Sequence, residues 1–387
     1  MKKWRFTGIV AGIGLVGIYL LNASWLAAAP VGRPNILAHR GVHQTFDRTN
    51  LKQSDCTAIR MRPPTNPFIE NTMASMRASF HLGADQIELD VHPTTDGEFA
   101  VFHDWSVECR TNGKGVTREL SMKYLRTLDL GYGYTTDGGR TYPFRGKFVG
   151  QMKTLHEVLA EFPDRRFLIN IKSNDPAEAD QLVKYLKAKG DETDKRIGIV
   201  ASDRVLDRVG ALAPTTKVLS VDRTKACSFG YLAVGWSGYV PESCRHGTIG
   251  VPVNLRWAFW GWPNRFLQRM RDADAEVMVA GPLGSTSGDP GITDPVQLDA
   301  IPDRYEGSIM TDDIEKVGPA ALRRWPRSPA GRSSLAVRLC LKPTDRALGT
   351  LSTFRYSVHP LKAAACTTSV ICLSIFKSGR TAFHRLS

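Results

Sequence analysis

Short apolar runs alternate with amphipathic stretches along most of the chain after residue 34. The apolar runs have the length and composition of buried strands, and the amphipathic stretches repeat with the period of a helix. The runs predicted as strands are 35–38, 86–91, 99–102, 167–171, 197–201, 218–221, 249–253, 277–280 and 308–310. The stretches predicted as helices are 71–82, 154–162, 177–189, 204–212, 263–273 and 295–300.

This alternation predicts an α/β fold. Strands that alternate with helices form parallel sheets, because each helix carries the chain back to the starting edge. About eight such units within roughly 290 residues favour a closed (β/α)8 TIM barrel over an open sheet. Two polar stretches, 42–69 and 131–150, interrupt the pattern and are predicted as inserted loops, the first of them at the mouth of the barrel.

The first 30 residues have the pattern of an export segment. A positively charged start at 2–5 precedes 7–21, which is almost wholly apolar. Alanines at 27–29 resemble a cleavage site, but 7–29 is also long enough to span a bilayer. The segment is therefore predicted as either a cleaved signal peptide or a signal anchor in the membrane. In both cases the rest of the chain is expected in an exported location, periplasmic or extracytoplasmic.

Charge is distributed unevenly along the chain. The net charge of +13 is concentrated at the two ends, because residues 323–387 carry twelve basic side chains and one acid. The stretch 33–322, predicted as the barrel domain, is close to neutral and has no basic stripe with interleaved aromatic residues. Nucleic acid is therefore not expected as a partner. The tail 323–387 has no sustained periodicity and is predicted as a basic extension of low structure.

Seven cysteines in an exported chain indicate disulfide bonds and at least one additional thiol. Cys227 and Cys244 lie in one loop-rich stretch and can close it. Cys56 and Cys109 lie in loops that follow two different predicted strands. We predict these two pairs as disulfides; buried free thiols are the alternative.

Chemically versatile side chains stand at the ends of three predicted strands. His39 and Arg40 follow the first run, Glu88 and Asp90 lie within the second, and His103 follows the third. Residues two apart on a strand point to the same face, so the two carboxylates project together. Two carboxylates with two imidazoles and an arginine can hold a divalent cation, bind an anion and move protons. That combination suits phosphodiester chemistry.

The order of these motifs resembles the glycerophosphodiester phosphodiesterase family, over roughly residues 33–322. The matching stretches are Ile36–Gly41, Glu70–Thr72, Glu88–Val91, Thr95–Gly97 and Val101–Asp104, with weaker similarity at 154–159, 170–172 and 309–312.

The resemblance implies roles for individual residues. His39 and His103 would be the general acid/base pair, since imidazoles titrate near neutral pH. Arg40 and Lys172 would lie near the substrate phosphate, where arginine can grip two oxygens at once.

The resemblance also implies a divalent metal, Ca²⁺ or Mg²⁺, which hard oxygen ligands prefer. Glu88 and Asp90 would be ligands. Where the family usually has a third carboxylate, this chain has Asn170, so we expect a weaker or differently selective metal site rather than its loss. Glu70 is expected to position a loop or another residue of the site rather than bind the metal. Asp104 is expected to anchor a turn or to orient His103.

The expected activity is metal-dependent hydrolysis of glycerophosphodiesters to glycerol 3-phosphate and an alcohol. One alternative is a phospholipase D-like enzyme that acts on lysophospholipids; part of the aromatic run 257–266 could then wall the cleft, the rest being core. A second alternative is a protein that binds phosphodiesters without catalysis, which the change at Asn170 suggests. Binding alone, however, does not require a paired acid and base.

Overall fold

The computed structural model describes residues 2–52, 55–190, 196–284 and 289–327. Of the tail predicted at 323–387, everything from residue 328 onward lies outside the described residues. The strands are β1 (Asn35–His39), β2 (Gln86–Pro93), β3 (Phe99–Val101), β4 (Arg166–Ile171), β5 (Ile197–Val200), β6 (Lys217–Leu219), β7 (Thr248–Pro252), β8 (Glu276–Ala280) and β9 (Ser308–Thr311). The helices are α1 (Lys2–Asn22), α2 (Met73–Leu82), α3 (Met122–Leu125), α4 (Leu155–Glu161), α5 (Ala177–Lys189), α6 (Asp203–Leu212), α7 (Val221–Val234), α8 (Asn264–Asp272) and α9 (Ile314–Arg324).

Eight strands form one parallel sheet in the order β6-β5-β4-β2-β1-β9-β8-β7, and β3 pairs with β2 in the antiparallel direction. A cavity of about 50 Å³ is lined by side chains from all eight parallel strands. Because β6 and β7, the two ends of the hydrogen-bonded order, face the same cavity, the sheet wraps around into a barrel. The prediction of a TIM barrel is confirmed.

The interior of the barrel is filled by apolar side chains beneath the strand ends. Leu37, Leu168 and Val200 form a buried cluster there, packed against Met278 and Met310 among others. A much larger core lies between the strands and the surrounding helices. Since the interior is packed, a polar site can form only above this layer, at the carboxyl ends of the strands.

Local sequence signals explain where several predicted helices begin and end. Thr72 caps α2 by accepting the backbone N–H of Ser75, and Gly83 ends it with φ of 117°. Thr154 and Glu157 form a reciprocal capping box at α4. The stretch predicted as a helix at 295–300 is a 3₁₀ helix.

Helices α7 and α9 were not predicted, and the strand predicted at 218–221 is too long. The strand ends at Leu219, and Ser220 caps α7 by accepting the backbone N–H of Arg223. Helix α7 lacks a clear amphipathic period and contains Gly230, so its sequence gives a weak helical signal. Helix α9 continues to Arg324, beyond the predicted domain end at residue 322.

Both predicted disulfides are present. Cys56 is bonded to Cys109, which joins the inserted loop 42–69 to the segment after β3. Cys227 on α7 is bonded to Cys244, and both are fully buried. The second bond secures α7, which its own sequence favours only weakly.

The predicted export segment is folded mainly as α1. Within the part of the chain that the structure describes, none of the helices is long and apolar enough to cross a membrane.

Candidate functional site

The site begins where β1 ends, at His39 and Arg40. Arg40 has a left-handed backbone with φ of 59°, and Gly41 follows with φ of 82°. A side chain at Gly41 would collide with Ser75, because a Cβ there would lie 2.4 Å from the Ser75 hydroxyl. The Arg40 backbone N–H donates to the Glu88 carbonyl on β2 at 3.0 Å. This turn brings the Arg40 side chain over the end of the sheet.

Three polar side chains project together from β2 and β4. Asp90 pairs with Asn170 in the register of the two strands, and Glu88 lies two residues earlier on the same face. The Asn170 amide Nδ2 donates to Glu88 Oε1 at 2.9 Å and to Asp90 Oδ1 at 3.1 Å. Glu88 and Asp90 are both buried. The predicted convergence of the two carboxylates is therefore present, with Asn170 between them.

Two cations face these carboxylates. Lys172 Nζ lies 3.2 Å from Asp90 Oδ1, and Arg40 Nε lies 3.3 Å from Asp90 Oδ2. Asn71 Nδ2 also donates to Asp90 Oδ2, at 2.9 Å. Burial disfavours the Asp90 carboxylate, but Lys172 and Arg40 outweigh that effect and hold the pKa of Asp90 well below its usual range. Arg40 and Lys172 thus lie against the two oxygens of the same carboxylate.

His39 lies between two carboxylates. Its Nδ1 is 2.6 Å from Oδ1 of Asp312, which follows β9, and its Nε2 is 3.8 Å from Glu88 Oε2. Asp312 is fixed by the backbone N–H of Gly291, which donates to Oδ2 at 2.6 Å. Burial and the charge of Arg40 oppose protonation of His39. The two carboxylates outweigh them, so the pKa of His39 is raised above its ordinary value.

His103 has a carboxylate partner of its own. Its Nδ1 lies 2.7 Å from Asp104 Oδ1. Arg110 donates from Nε to Asp104 Oδ2 at 2.7 Å and pairs with Glu70 Oε1 at 2.8 Å. Burial and the charge of Arg40 lower the pKa of His103 below its ordinary value. Asp104 therefore contacts both His103 and Arg110, and Glu70 contacts Arg110.

Arg110 is the centre of this buried network. The disulfide Cys56–Cys109 places it beside Thr57, whose hydroxyl accepts from Arg110 Nη2 at 2.8 Å. Arg110 also donates to the hydroxyl of Tyr134. The inserted loop 42–69 and the segment after β3 are thus joined covalently and electrostatically behind His103.

The donor atoms of Glu88, Asp90 and Asn170 suit a divalent cation. In the described segments, no cluster of three or more His, Cys, Asp or Glu side chains is arranged to hold a metal. However, Glu88 Oε2 is buried and accepts no hydrogen bond from any described residue. The Asn170 amide lies between both carboxylates, and turning it by 180° would present its carbonyl oxygen there. Two carboxylates and an amide oxygen fit Ca²⁺ or Mg²⁺, with one charge fewer than three acids would supply.

Sequence reasoning underestimated Asp312 and missed Arg110 and Asn71 as parts of the site. Asp312 lies two residues after the predicted strand 308–310, and His39 directly follows the predicted strand 35–38. That position was the available signal. Arg110 lies in a loop with no recognisable pattern, so only the folded structure shows its role.

Part of the chain is similar in sequence to known proteins. Residues 39–220 match the family model of the glycerophosphoryl diester phosphodiesterase family. Over these residues the chain is similar to that family. A glycerophosphodiester phosphodiesterase of Caldanaerobacter subterraneus is 36% identical over 124 residues, which cover 30% of this chain and 47% of the relative. One from Bacillus altitudinis is 37% identical over 107 residues, covering 27% of this chain and 40% of that protein.

The similarity is local in sequence and extends further in structure. The chain matches less than half the length of these two curated relatives. The glycerophosphoryl diester phosphodiesterase domain of an uncharacterized Mycobacterium tuberculosis protein superimposes with a TM-score of 0.53 at 16% identity. That superposition covers 76% of this chain and 100% of the domain, and it supports the barrel fold.

Proposed function

We propose that this protein hydrolyses glycerophosphodiesters to glycerol 3-phosphate and an alcohol. The observation that carries the proposal is the pair of histidines, each bonded through Nδ1 to a carboxylate, in a site where two cations contact Asp90. His39 is paired with Asp312 at 2.6 Å and His103 with Asp104 at 2.7 Å. A site that only bound a phosphodiester would need the cations but not two oriented imidazoles.

The two histidines can carry out both proton transfers of the reaction. With Nδ1 of each ring held by a carboxylate, Nε2 is the atom that faces the substrate. One imidazole accepts a proton from the attacking hydroxyl, and the other donates a proton to the leaving alkoxide. The aspartates fix the tautomers and stabilise the charged rings. After the alcohol leaves, the ring that accepted a proton releases it to solvent and the other ring takes one up, which restores the starting state.

The phosphate would be held by Arg40 and Lys172. Both lie within 3.3 Å of Asp90, so their charges are already oriented before substrate arrives. Glu88, Asp90 and Asn170 are the proposed ligands of a divalent cation. When bound, such an ion would neutralise charge that develops on the phosphoryl oxygens.

Restoring a third acid is expected to strengthen the metal site. In Asn170→Asp the affinity for Ca²⁺ should rise about tenfold, because affinity in oxygen-ligand sites increases with ligand charge. Isothermal titration calorimetry with Ca²⁺ alone measures this without an activity assay. Asn112→Asp makes the same charge change at a residue outside the site and should leave the affinity unchanged. An unchanged dissociation constant in Asn170→Asp would remove residue 170 from the ligand set.

Asp312 is proposed as the residue that positions His39. Asp312→Asn keeps the shape but removes the charge, so kcat should fall about 10²-fold with little change in KM. The pH profile should also move: without the carboxylate the pKa of His39 falls, and the limb that requires protonated His39 shifts to lower pH. A uniform loss of rate with an unshifted profile would indicate only structural damage.

Export of the protein is proposed together with this activity. Two disulfides persist in oxidising compartments, and the chain starts with basic residues followed by an apolar segment. Cell fractionation should place the protein outside the cytoplasm, and recovery in the cytosol with free thiols would contradict the proposal.

The alternative activity is that of a phospholipase D-like enzyme that acts on lysophospholipids. It differs from the proposed activity in its substrate. Parallel assays of glycerophosphocholine and lysophosphatidylcholine separate the two activities. We expect faster turnover of glycerophosphocholine, and a preference for the lysolipid would favour the alternative.

A further inference from the structure

The carboxyl end of α1 is bonded to the barrel. Arg269 on α8 is only 9% exposed, and its guanidinium joins two parts of the chain. It donates to Asn22 Oδ1 at 2.9 Å and to the Leu21 carbonyl at 3.0 Å. It also donates to the Tyr231 hydroxyl and the Gly235 carbonyl, each at 3.0 Å. The last carbonyls of a helix lack partners within the helix and carry partial negative charge, so a buried cation stabilises them.

The residues that follow α1 are also part of the fold. The Ser24 hydroxyl accepts the backbone N–H of Asn264 at 2.9 Å. Ala23 and Ala27 are buried, with 5% and 8% exposure. Cleavage at the alanines predicted as a processing site would remove these contacts. It would also leave a buried guanidinium without two of its partners, which is costly for a charged group.

Apolar side chains are exposed around this docked end. The large apolar side chains exposed on α1 are Ile9, Val10, Ile13, Leu15, Val16, Tyr19, Leu20 and Leu21. Beside its last turn lie three exposed aromatic residues, which we call the aromatic rim: Trp25 at 67%, Trp236 at 44% and Tyr239 at 56% exposure. The rim adjoins α1 because Asn22 Nδ2 donates to the Trp236 carbonyl at 2.8 Å. Contiguous apolar surface of this kind marks an interaction site.

We propose that α1 is retained in the mature protein and that α1 and the aromatic rim together bind a lipid bilayer. Two features favour a bilayer as the occupant. Tryptophan and tyrosine prefer the boundary between lipid and water, because one end of each ring system is apolar and the other is polar. The sequence also places basic residues at 2–5, at the far end of the apolar segment, where they complement anionic head groups.

Retention is tested by the mass of the exported protein. Intact-mass spectrometry of the full chain after export should show the N-terminal segment present. Limited proteolysis should cut within 20–30 at least tenfold faster in Asn22→Ala, which removes a partner of Arg269 but no core side chain. A mature protein that starts after residue 27 with unchanged thermal stability would overturn retention.

Lipid binding is tested by cosedimentation of the full chain with vesicles of phosphatidylcholine and phosphatidylglycerol. Replacing both Trp236 and Tyr239 by serine should lower the partition coefficient about tenfold. Replacing Tyr132 and Val296 by serine removes exposed apolar side chains outside the rim and should leave partition unchanged. Equal losses in both double variants would contradict the proposal. So would dimerisation through the rim without vesicle binding, since a second copy would then be the occupant.

Discussion

His39→Ala and His103→Ala should each lower kcat for glycerophosphocholine by about 10²–10⁴-fold, because each removes one proton-transfer group. The measurement is the initial rate of glycerol 3-phosphate release at saturating substrate. Neither side chain belongs to the apolar core, so the thermal unfolding temperature should change little. The double variant should be hardly slower than either single one, since the two imidazoles act as a unit.

A matched control exists on the surface. His246 also pairs through Nδ1 with a carboxylate, Asp274, at 3.0 Å, but it is 79% exposed and outside the site. His246→Ala should retain full activity. Near-complete activity in His39→Ala or in His103→Ala would exclude that residue from proton transfer.

Arg110→Met should destabilise the protein by about 3–5 kcal/mol, because it breaks a buried charge network from one side. Arg110 is 3% exposed and pairs with both Asp104 and Glu70. Without it, the buried carboxylate of Glu70 and the partly buried carboxylate of Asp104 lose their main counter-charge. Equilibrium unfolding in urea measures the free energy of unfolding directly.

The control for Arg110 is an exposed pair of similar geometry. Arg208 pairs with Asp180 at 2.6 Å, with both side chains nearly half exposed. Arg208→Met should change the free energy of unfolding by at most about 1 kcal/mol. Equal effects at the two positions would show that the network behind His103 contributes no more than a surface pair.

The barrel could be predicted because its signals are local. Runs such as 197–200 are apolar over the length of a strand, and helices such as α5 carry one apolar face and a terminal glycine, Gly190. Helix α7 is not predicted from the sequence, because it is held by a disulfide and by packing against β7. No local sequence pattern indicates these long-range contacts.

The site was predictable only where its residues lie on or directly after strands. Glu88 and Asp90 share a face by strand geometry alone, and His39 ends β1. Asp312, which follows β9, contacts His39 across 273 residues of sequence, and Arg110 contacts Asp104 from a loop six residues further on. Such contacts depend on how the barrel closes and on where a disulfide holds the loop, so they require the folded structure.

The central claim is that this barrel cleaves the bond between phosphate and the head-group alcohol. Phosphorus NMR of the purified protein with glycerophosphocholine tests it most directly. We predict conversion of the diester signal to that of glycerol 3-phosphate, with no conversion by the variant that lacks both histidines. Formation of phosphocholine, or an unchanged diester signal at high enzyme concentration with Ca²⁺ or Mg²⁺ supplied, would contradict the account.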